Sequence, residues 1–481
     1  MGQMDNQPDG VDTYPGDRHD LDSYPLGERK LSRQQSPIML HADNPHERLY
    51  IAALDGTGNS MFKDAPEHWS VVAKIYAQVD NLRKQGVGNI RAGYVEGTFT
   101  QDNPIARYID GIAGYTFERR VETAYDQFCR QAKDWLREDP NAQIRIVGLG
   151  FSRGAEEAAA LLRMIEERGI QDPEDAKYTY YKDGLIKEVE YTRPPLVPPG
   201  ETMQAALLYD PVATGVKEHD RRLPPSVMSA LQITAEDERR DQFESTNLLE
   251  PGFSEGNRFL NITVGGAHSD IGNTYTLDGF GIRSYNLGID YLNSFSDRPF
   301  LSKRAVPDDP ALNVVHRSDQ HSWIYTERGY RDGIRNRHDS LAPRSMCLND
   351  AAACAKKEPF DPDMDRQLER RGVPIGPVPM VRGRRDIHAS GIDAPELHPD
   401  TARSGTDRLF DRLHRAALED DGREMHAVGR DYLHSPDGQA WRQDVHEYGQ
   451  ATQAREQMAW EAQQQQQQAA EQLHRPHAMR M

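Results

Sequence analysis

The sequence predicts an α/β fold in which a mostly parallel sheet is flanked by helices. Two observations support this prediction. Apolar strands alternate with amphipathic helices over residues 46–300, an order typical of parallel sheets. Polar residues directly follow several of these strands, and the carboxyl ends of parallel strands are where reactive groups collect. We therefore expect the chemistry of the protein at that edge of the sheet.

The elements of this domain follow from periodicity and from turn residues. In chain order they are a strand at 48–54, a helix at about 69–85, a strand at 90–95, a helix at 117–138, a strand at 144–148, a helix ending at Gly169, and strands at 205–209 and 259–264. Residues 171–203 are charged and rich in proline, so we expect them to form a surface insertion.

The two ends of the chain have a different composition. Residues 1–45 are rich in Asp, Pro, Gly and Gln, which predicts a disordered N-terminal arm. Residues 301–399 contain few periodic segments, and we expect an irregular accessory region that acts as a lid or contacts a membrane. Residues 400–481 are expected to be helical and include the low-complexity run Gln463–Gln468.

Composition excludes several classes of function. The 481 residues carry a formal net charge of −18, which argues against a nucleic-acid partner, because phosphate binding requires a basic surface. The chain has no apolar stretch long enough to span a bilayer, and its acidic start is unlike a conventional signal peptide. Three cysteines are too few for a disulfide scaffold; Cys347 and Cys354 could pair in an oxidising compartment, but free thiols are favoured.

The run Gly150-Phe151-Ser152-Arg153-Gly154 is the candidate nucleophile motif. Five residues of this kind also occur by chance. Here, however, a buried strand precedes the motif and an Ala-rich helix follows it, and this strand-turn-helix context is the one in which Gly-x-Ser-x-Gly carries a nucleophilic serine. We therefore predict a serine hydrolase with Ser152 as its nucleophile.

A serine nucleophile needs a histidine base and an acid that orients the histidine. The chain order Ser152, Asp210, His268 is the order expected for an α/β-hydrolase, and both partners follow predicted strands. Asp210 could instead merely cap a turn. Alternatives that the sequence leaves open are Asp55 or Asp270 as the acid, and His316 or His321 as the base.

Backbone N–H groups are expected to form the oxyanion hole. Arg153, which follows the nucleophile, supplies one, and the Gly56/Thr57 turn supplies the other. Asp55 and Asp270 could together hold a cation, but carboxylates near a triad are more often structural. We therefore expect no metal ion and no cofactor.

Seven ordered motifs between about residues 48 and 295 resemble the catalytic domain of the first class of type VI secretion lipase effectors, an α/β-hydrolase family. The motifs are Asp55-Gly56-Thr57-Gly58-Asn59, Tyr94-Val95-Glu96-Gly97, residues 111–128, the Ser152 run, Tyr209-Asp210-Pro211-Val212, Asp237-Glu238-Arg239-Arg240 with Phe243, and residues 266–272. The chain departs from the family pattern at Pro211, at Asn273-Thr274 and at Gln232, which puts its substrate preference in doubt.

The resemblance implies a Ser152-Asp210-His268 triad and phospholipase activity, of A type, on bacterial membranes. It also implies a secreted antibacterial toxin that is made in the bacterial cytoplasm, acts at the membrane or in the periplasm of a target cell, and has a secretion-machinery partner and a cognate immunity protein. Residues 433–440 and the Gln-rich segment after them resemble the tails of effectors of Xanthomonas-type type IV secretion; a solvated helix is the alternative. Two other functions stay open: a soluble esterase or thioesterase, and a non-catalytic binding protein that keeps the hydrolase fold.

Overall fold

A computed structural model describes residues 8–97, 116–181, 185–240, 243–321, 335, 337–338, 341–351, 358 and 360–378. The helices are α1 (Arg18–Leu31), α2 (Val71–Lys84), α3 (Phe117–Glu138), α4 (Arg153–Arg168), α5 (His268–Ile271), α6 (Gly279–Asn293), α7 (Arg344–Asn349) and α8 (Pro362–Asp365), and short 3-10 turns occur at Pro66–His68, Glu255–Asn257, Pro310–Leu312 and Ser318–His321.

The strands are β1 (Thr13–Pro15), β2 (Gln35–Pro37), β3 (Glu47–Leu54), β4 (Ile90–Val95), β5 (Gln143–Phe151), β6 (Lys177–Tyr180), β7 (Ile186–Glu190), β8 (Met203–Tyr209), β9 (Val227–Ala235), β10 (Ser245–Thr246), β11 (Gly252–Phe253), β12 (Phe259–Val264), β13 (Val314–His316), β14 (Arg337–His338) and β15 (Arg370–Gly372).

Seven of these strands form one sheet, in the order β11-β12-β9-β8-β5-β3-β4. Every neighbouring pair is parallel except β11 with β12, which is antiparallel. Apolar clusters cover both faces: α2 and α6 contribute to one cluster, and α3 and α4 to the other. The predicted α/β fold with a mostly parallel sheet is therefore confirmed, and the carboxyl ends of its central strands lie side by side.

Strand β9 lies inside the sheet, between β12 and β8, although its sequence pattern did not predict it. All nine of its residues are buried, and they include the polar residues Ser229, Gln232 and Thr234. A strand covered on both faces normally reads as a continuous apolar run, and these polar residues interrupt that run. Its position is important because it places Ala235 beside the end of β8, where Asp210 begins the next loop.

The prediction that residues 1–45 are disordered is wrong for residues 8–45. Helix α1 begins with a capping box at Asp17 and buries Tyr24 and Leu31 in the core. Strand β1 pairs with β13, and β2 pairs with β15. The polar composition suggested disorder, but a few well-spaced apolar residues are enough to dock a helix whose end is capped.

The predicted accessory regions are described only in part. In the expected insertion, β6 and β7 form an antiparallel hairpin with mostly exposed residues. Described residues between 301 and 378 belong to the same compact unit as the sheet. Residues 400–481, with the predicted helical tail, lie outside the described residues, as does Cys354. Cys347 is disulfide-bonded, so free thiols were the wrong expectation for that residue, whereas Cys129 is a buried free cysteine.

None of the helices in the described part of the chain has the length and apolar composition required to cross a membrane.

Candidate active site

Ser152 occupies a sharp turn between β5 and α4. Its φ of 58° and ψ of −125° form a strained backbone conformation for a residue with a side chain. Glycines on either side make the turn feasible: a Cβ at Gly150 would lie 2.2 Å from the Gly154 carbonyl oxygen, and one at Gly154 would lie 2.3 Å from the Leu54 carbonyl oxygen. Such strain is typical of functional residues, since the fold must hold them in place.

The backbone of Ser152 is tied to the loop that carries Asp210. The Ser152 N–H donates to the Tyr209 carbonyl at 2.9 Å, and its own carbonyl accepts from Val212 N–H at 3.4 Å. These bonds join the ends of β5 and β8, which are adjacent parallel strands. The structure therefore brings the serine turn and Asp210 together at the carboxyl ends of two adjacent strands.

Asp210 and His268 are joined by a hydrogen bond of 2.5 Å between Oδ2 and Nδ1. His268 is the first residue of α5, which follows β12, and Asp210 follows β8. Asp210 is fully buried and has a positive φ of 43°. Burial raises the pKa of its carboxyl, but Arg335 and His268 outweigh this effect and lower the pKa to about 2. Asp210 is thus an ionised acceptor for the imidazole N–H.

Two aromatic rings enclose the imidazole of His268. Phe151 stacks on it at a centroid distance of 4.6 Å, and Phe243 approaches edge-on at 4.9 Å. Burial lowers the pKa of His268 below its ordinary value, although the bond to Asp210 acts in the opposite direction. A histidine that is neutral near physiological pH can accept a proton, as a general base must. Phe151 is also the residue before Ser152, so the ring contact places the serine turn next to the histidine.

Arg335 is a member of the site that sequence reasoning missed. Its guanidinium is buried and donates to Asp210 Oδ1, to the Ala235 carbonyl at 2.9 Å and to the Phe243 carbonyl at 2.7 Å. The Ala235 N–H completes the shell with a 3.0 Å bond to Asp210 Oδ1. Arg335 comes from an Arg-rich stretch without periodicity, so no local pattern distinguished it from the other arginines of that stretch.

Residues 237–240 support the second ring beside His268, that of Phe243. Arg240 and Glu238 form a buried ion pair at 2.8 Å, and the Arg240 guanidinium lies 3.5 Å from the centroid of the Phe243 ring. A cation over a ring face is attractive and helps to fix the ring. The Asp-Glu-Arg-Arg motif was noted in the sequence, but its part in holding Phe243 against the histidine becomes visible only in the fold.

The predicted oxyanion-hole residues lie at the expected turns, with one difference. The Gly56 N–H donates to its neighbour Asp55 at 2.7 Å, so this amide is already engaged. Arg153 is the first residue of α4, where the helix dipole favours a negative charge. Thr57 belongs to the turn after β3, which is paired with β5.

Three of the alternative acids and bases, Asp55, Asp270 and His316, have other partners. Asp55 accepts from the Tyr94 hydroxyl at 2.6 Å, and burial raises its pKa to about 6. Asp270 bonds His316, which also bonds Asp9. His321 lies in the turn at Ser318–His321. Among the described residues, therefore, Asp210 is the carboxylate that bonds His268, and His316 has both ring nitrogens engaged elsewhere.

Within the described residues, no group of three or more His, Cys, Asp or Glu side chains is arranged to hold a metal ion.

Comparison with known proteins gives one family match. Residues 48–193 match the family described as "T6SS, Phospholipase effector Tle1-like, catalytic domain". A comparison with curated proteins finds no match.

Solved structures resemble the chain at low identity. One is an uncharacterized protein from Pseudomonas aeruginosa, with 16% identity over 62% of this chain and 51% of that chain and a TM-score of 0.36. A second is the Tle1 effector bound to the VgrG spike of the type 6 secretion system, with 17% identity over 47% and 51% and a TM-score of 0.30. A third is esterase 2 of Thermogutta terrifontis, with 14% identity over 60% and 96% and a TM-score of 0.25. The chain spans about half the length of the first two.

The family match includes the strand-turn-helix unit of Ser152 and the turn after β3, whereas Asp210 and His268 lie beyond it. The resemblance to the catalytic domain of type VI secretion lipase effectors is thereby confirmed for residues 48–193.

Proposed function

We propose that the protein is a phospholipase effector of A type that hydrolyses acyl esters of membrane glycerophospholipids with a Ser152-His268-Asp210 triad. The observation that carries the proposal is the buried 2.5 Å bond between Asp210 and His268, at the end of the sheet where Ser152 forms its strained turn. The family match over residues 48–193 supports the substrate class.

In the proposed reaction, Ser152 Oγ attacks the acyl carbon while His268 Nε2 takes the serine proton. Asp210 holds Nδ1–H, which leaves Nε2 for this role, and it stabilises the imidazolium that forms. The N–H groups of Arg153 and Thr57 stabilise the oxyanion of the tetrahedral intermediate. His268 then gives its proton to the leaving lysophospholipid oxygen, and water releases the fatty acid from Ser152 by the same steps.

The phenyl rings beside His268 support this mechanism physically. Phe151 and Phe243 exclude water from two sides of the imidazole, which keeps it neutral and strengthens its bond to Asp210. Arg335 and the Ala235 N–H hold the other carboxylate oxygen of Asp210, so the carboxylate cannot turn away from the histidine.

Delivery and partners belong to the same proposal. The match to an effector domain supports export by a secretion machine into a competing bacterium, with action at its membrane or in its periplasm. A protein toxic to membranes requires a cognate immunity protein in the producing cell. The secretion machine and the immunity protein are both expected to bind exposed surface of the protein, because the Asp210-His268 pair is buried.

The test uses the purified full-length protein and phospholipid vesicles whose two acyl chains differ in mass. We expect the wild type to release fatty acid from one position, and Ser152→Ala to lose this activity by roughly 10³-fold or more. Ser32→Ala is a matched control, because Ser32 is exposed and its hydroxyl bonds only the Arg29 carbonyl in the described structure. Unchanged release by Ser152→Ala refutes the serine mechanism, whereas no release by the wild type favours the non-catalytic alternative.

A second substrate separates the phospholipase from a soluble esterase. A short-chain ester is assayed below and above the concentration at which it aggregates. The phospholipase proposal predicts a rise in rate when the ester aggregates. Equal rates on the dispersed and on the aggregated ester contradict it and favour the soluble esterase.

A further inference from the structure

A second histidine, His316, is completely buried next to the segment that carries His268. Its Nδ1 lies 2.6 Å from Asp270 Oδ1, and its Nε2 lies 3.1 Å from Asp9 Oδ2. We call these three residues the His316 cluster. They come from three distant parts of the chain: the N-terminal segment, helix α5 and strand β13.

The geometry of the cluster requires His316 to carry two protons. A carboxylate oxygen can only accept a hydrogen bond, so a ring nitrogen that faces each carboxylate must donate. Burial alone lowers the pKa of His316, but the bonds to Asp270 and Asp9 outweigh it and raise the pKa to about 9. Burial likewise raises the pKa of Asp9, and the bonds from His316 and Thr276 outweigh it and lower the pKa. The cluster is therefore an imidazolium that donates to the carboxylates of Asp270 and Asp9.

The cluster holds both ends of the segment 267–277, which contains His268. At the start of the segment, Asp270 Oδ2 accepts from the N–H of Ala267 at 2.9 Å. At its end, Asp9 accepts from the N–H groups of Thr276 and Leu277 at 2.7 and 3.0 Å. The carboxylates that make these hydrogen bonds at the two ends of the segment both also accept from His316.

The surroundings of His316 leave it as the group placed to neutralise these carboxylates. The Tyr275 ring stacks on the imidazole at 3.8 Å, and the Tyr275 hydroxyl bonds Ser318 at 2.7 Å. Tyr14 also lies beside the cluster, because its strand β1 pairs with β13, which carries His316. The other charged residues beside the cluster are of mixed sign and form pairs such as Arg240 with Glu238; they are Asp237, Glu238, Arg239, Arg240, Arg317 and Asp319.

We propose that His316 is a positioning residue: as the cation between Asp9 and Asp270, it fixes the turn that presents His268 to Ser152. The N-terminal segment is then a working part of the active site, through Asp9. This proposal rests on the proposed function for the role of His268 as base.

The first measurement needs no activity and uses full-length protein with ¹⁵N-labelled histidine. We expect His316 to show the ring-nitrogen shifts of an imidazolium at neutral pH and to titrate near pH 9. The same spectrum can be recorded for Ser152→Ala. Because that variant is expected to be inactive, the protonation state of His316 is then tested independently of the proposed function. A neutral His316 at neutral pH overturns the proposal.

The second measurement is kinetic. His316→Asn keeps a donor near Asp270 but removes the charge and the bond to Asp9, whereas His316→Leu removes both bonds. We expect kcat to fall by about tenfold in the first and by about a hundredfold in the second, as for small misplacements of a catalytic group. KM is expected to change by less than about twofold, because the His316 side chain is fully buried and its proposed effect is on the position of His268.

His41→Asn is the matched control, because His41 pairs Glu47 at 2.8 Å where β3 begins, at the opposite end of the sheet. A kcat in His316→Asn no lower than in His41→Asn overturns the proposal. If the His316 variants do not fold, Asp9→Ala gives the same kinetic test, and a wild-type kcat in that variant also overturns it. Loss of activity in Ser152→Ala with a wild-type kcat in His316→Leu would refute the positioning role alone.

Discussion

Replacement of Arg335 by methionine tests how the buried acid is held. The Arg335→Met variant would leave Asp210 in its apolar surroundings, bonded to His268 and to the Ala235 N–H but without a cation on Oδ1. Methionine has a similar length, so little volume is lost. The variant therefore removes the charge and the hydrogen bonds of the guanidinium while leaving the space filled.

The expected magnitude follows from the buried pair. Removing one partner of a buried ion pair destabilises a protein by roughly 3–5 kcal/mol. The lowering of the Asp210 pKa from 3.8 to about 2 corresponds to about 2 kcal/mol of stability, which is what the interactions with Arg335 and His268 leave after they offset the cost of burial. Because the folded-state pKa is lowered, this stability is present above pH 3.8 and is lost as the pH falls through about 2.

The assay is the free energy of unfolding from neutral pH into the acid range, together with kcat on a phospholipid. We expect the free energy of unfolding of Arg335→Met to be lower than that of the wild type at neutral pH, and this difference to shrink as the pH falls below about 4. We also expect its kcat to be lowered by about tenfold to a hundredfold. Arg145→Met is the control, because Arg145 pairs Glu47 at 2.7 Å at the other end of the sheet and should lose stability without losing kcat. Neutral-pH stability and kcat both equal to wild type in Arg335→Met would refute the reasoning.

Two further predictions concern the histidine and the serine turn. Phe243→Ala exposes one side of His268 to water, so the pKa of His268 should rise towards its ordinary value. The acidic limb of the kcat/KM profile should then move to higher pH, and an unmoved limb contradicts the role of burial. Gly154→Ala places a Cβ against the backbone oxygens of Leu54 and Asp55, so the midpoint of thermal unfolding should fall and activity should be lost. Gly88→Ala is the control, because a Cβ at Gly88 has open space around it and the variant should behave as wild type. Equal behaviour of the two variants contradicts the packing of the turn.

Most of the fold could be predicted from local patterns. Strands β4 and β12 and helix α3 have the predicted bounds, because each has a clear apolar period and a turn signal at its end. Strand β9 was not predicted in this way, since Ser229, Gln232 and Thr234 interrupt the apolar run expected of a strand buried on both faces. The N-terminal segment was misjudged because its composition is polar, while its order comes from long-range pairing with β13 and β15.

The candidate site shows the same division. Asp210 and His268 could be proposed because each lies within a few residues of the end of a strand, and parallel strands bring such positions together. The roles of Arg335, Phe243 and Asp9 could not be assigned from the sequence, because they arise from contacts between segments that are distant along the chain. Sequence order identifies the residues that follow strands, but it does not show which distant side chains will hold them in place.

The central claim is that Ser152 is a nucleophile activated by His268. The most direct measurement is labelling of the native protein with a fluorophosphonate, followed by peptide mapping. We predict a single adduct on Ser152, and labelling that is slower by about a hundredfold or more in His268→Gln. An adduct on another residue, or equally fast labelling of Ser152 in His268→Gln, would contradict the claim.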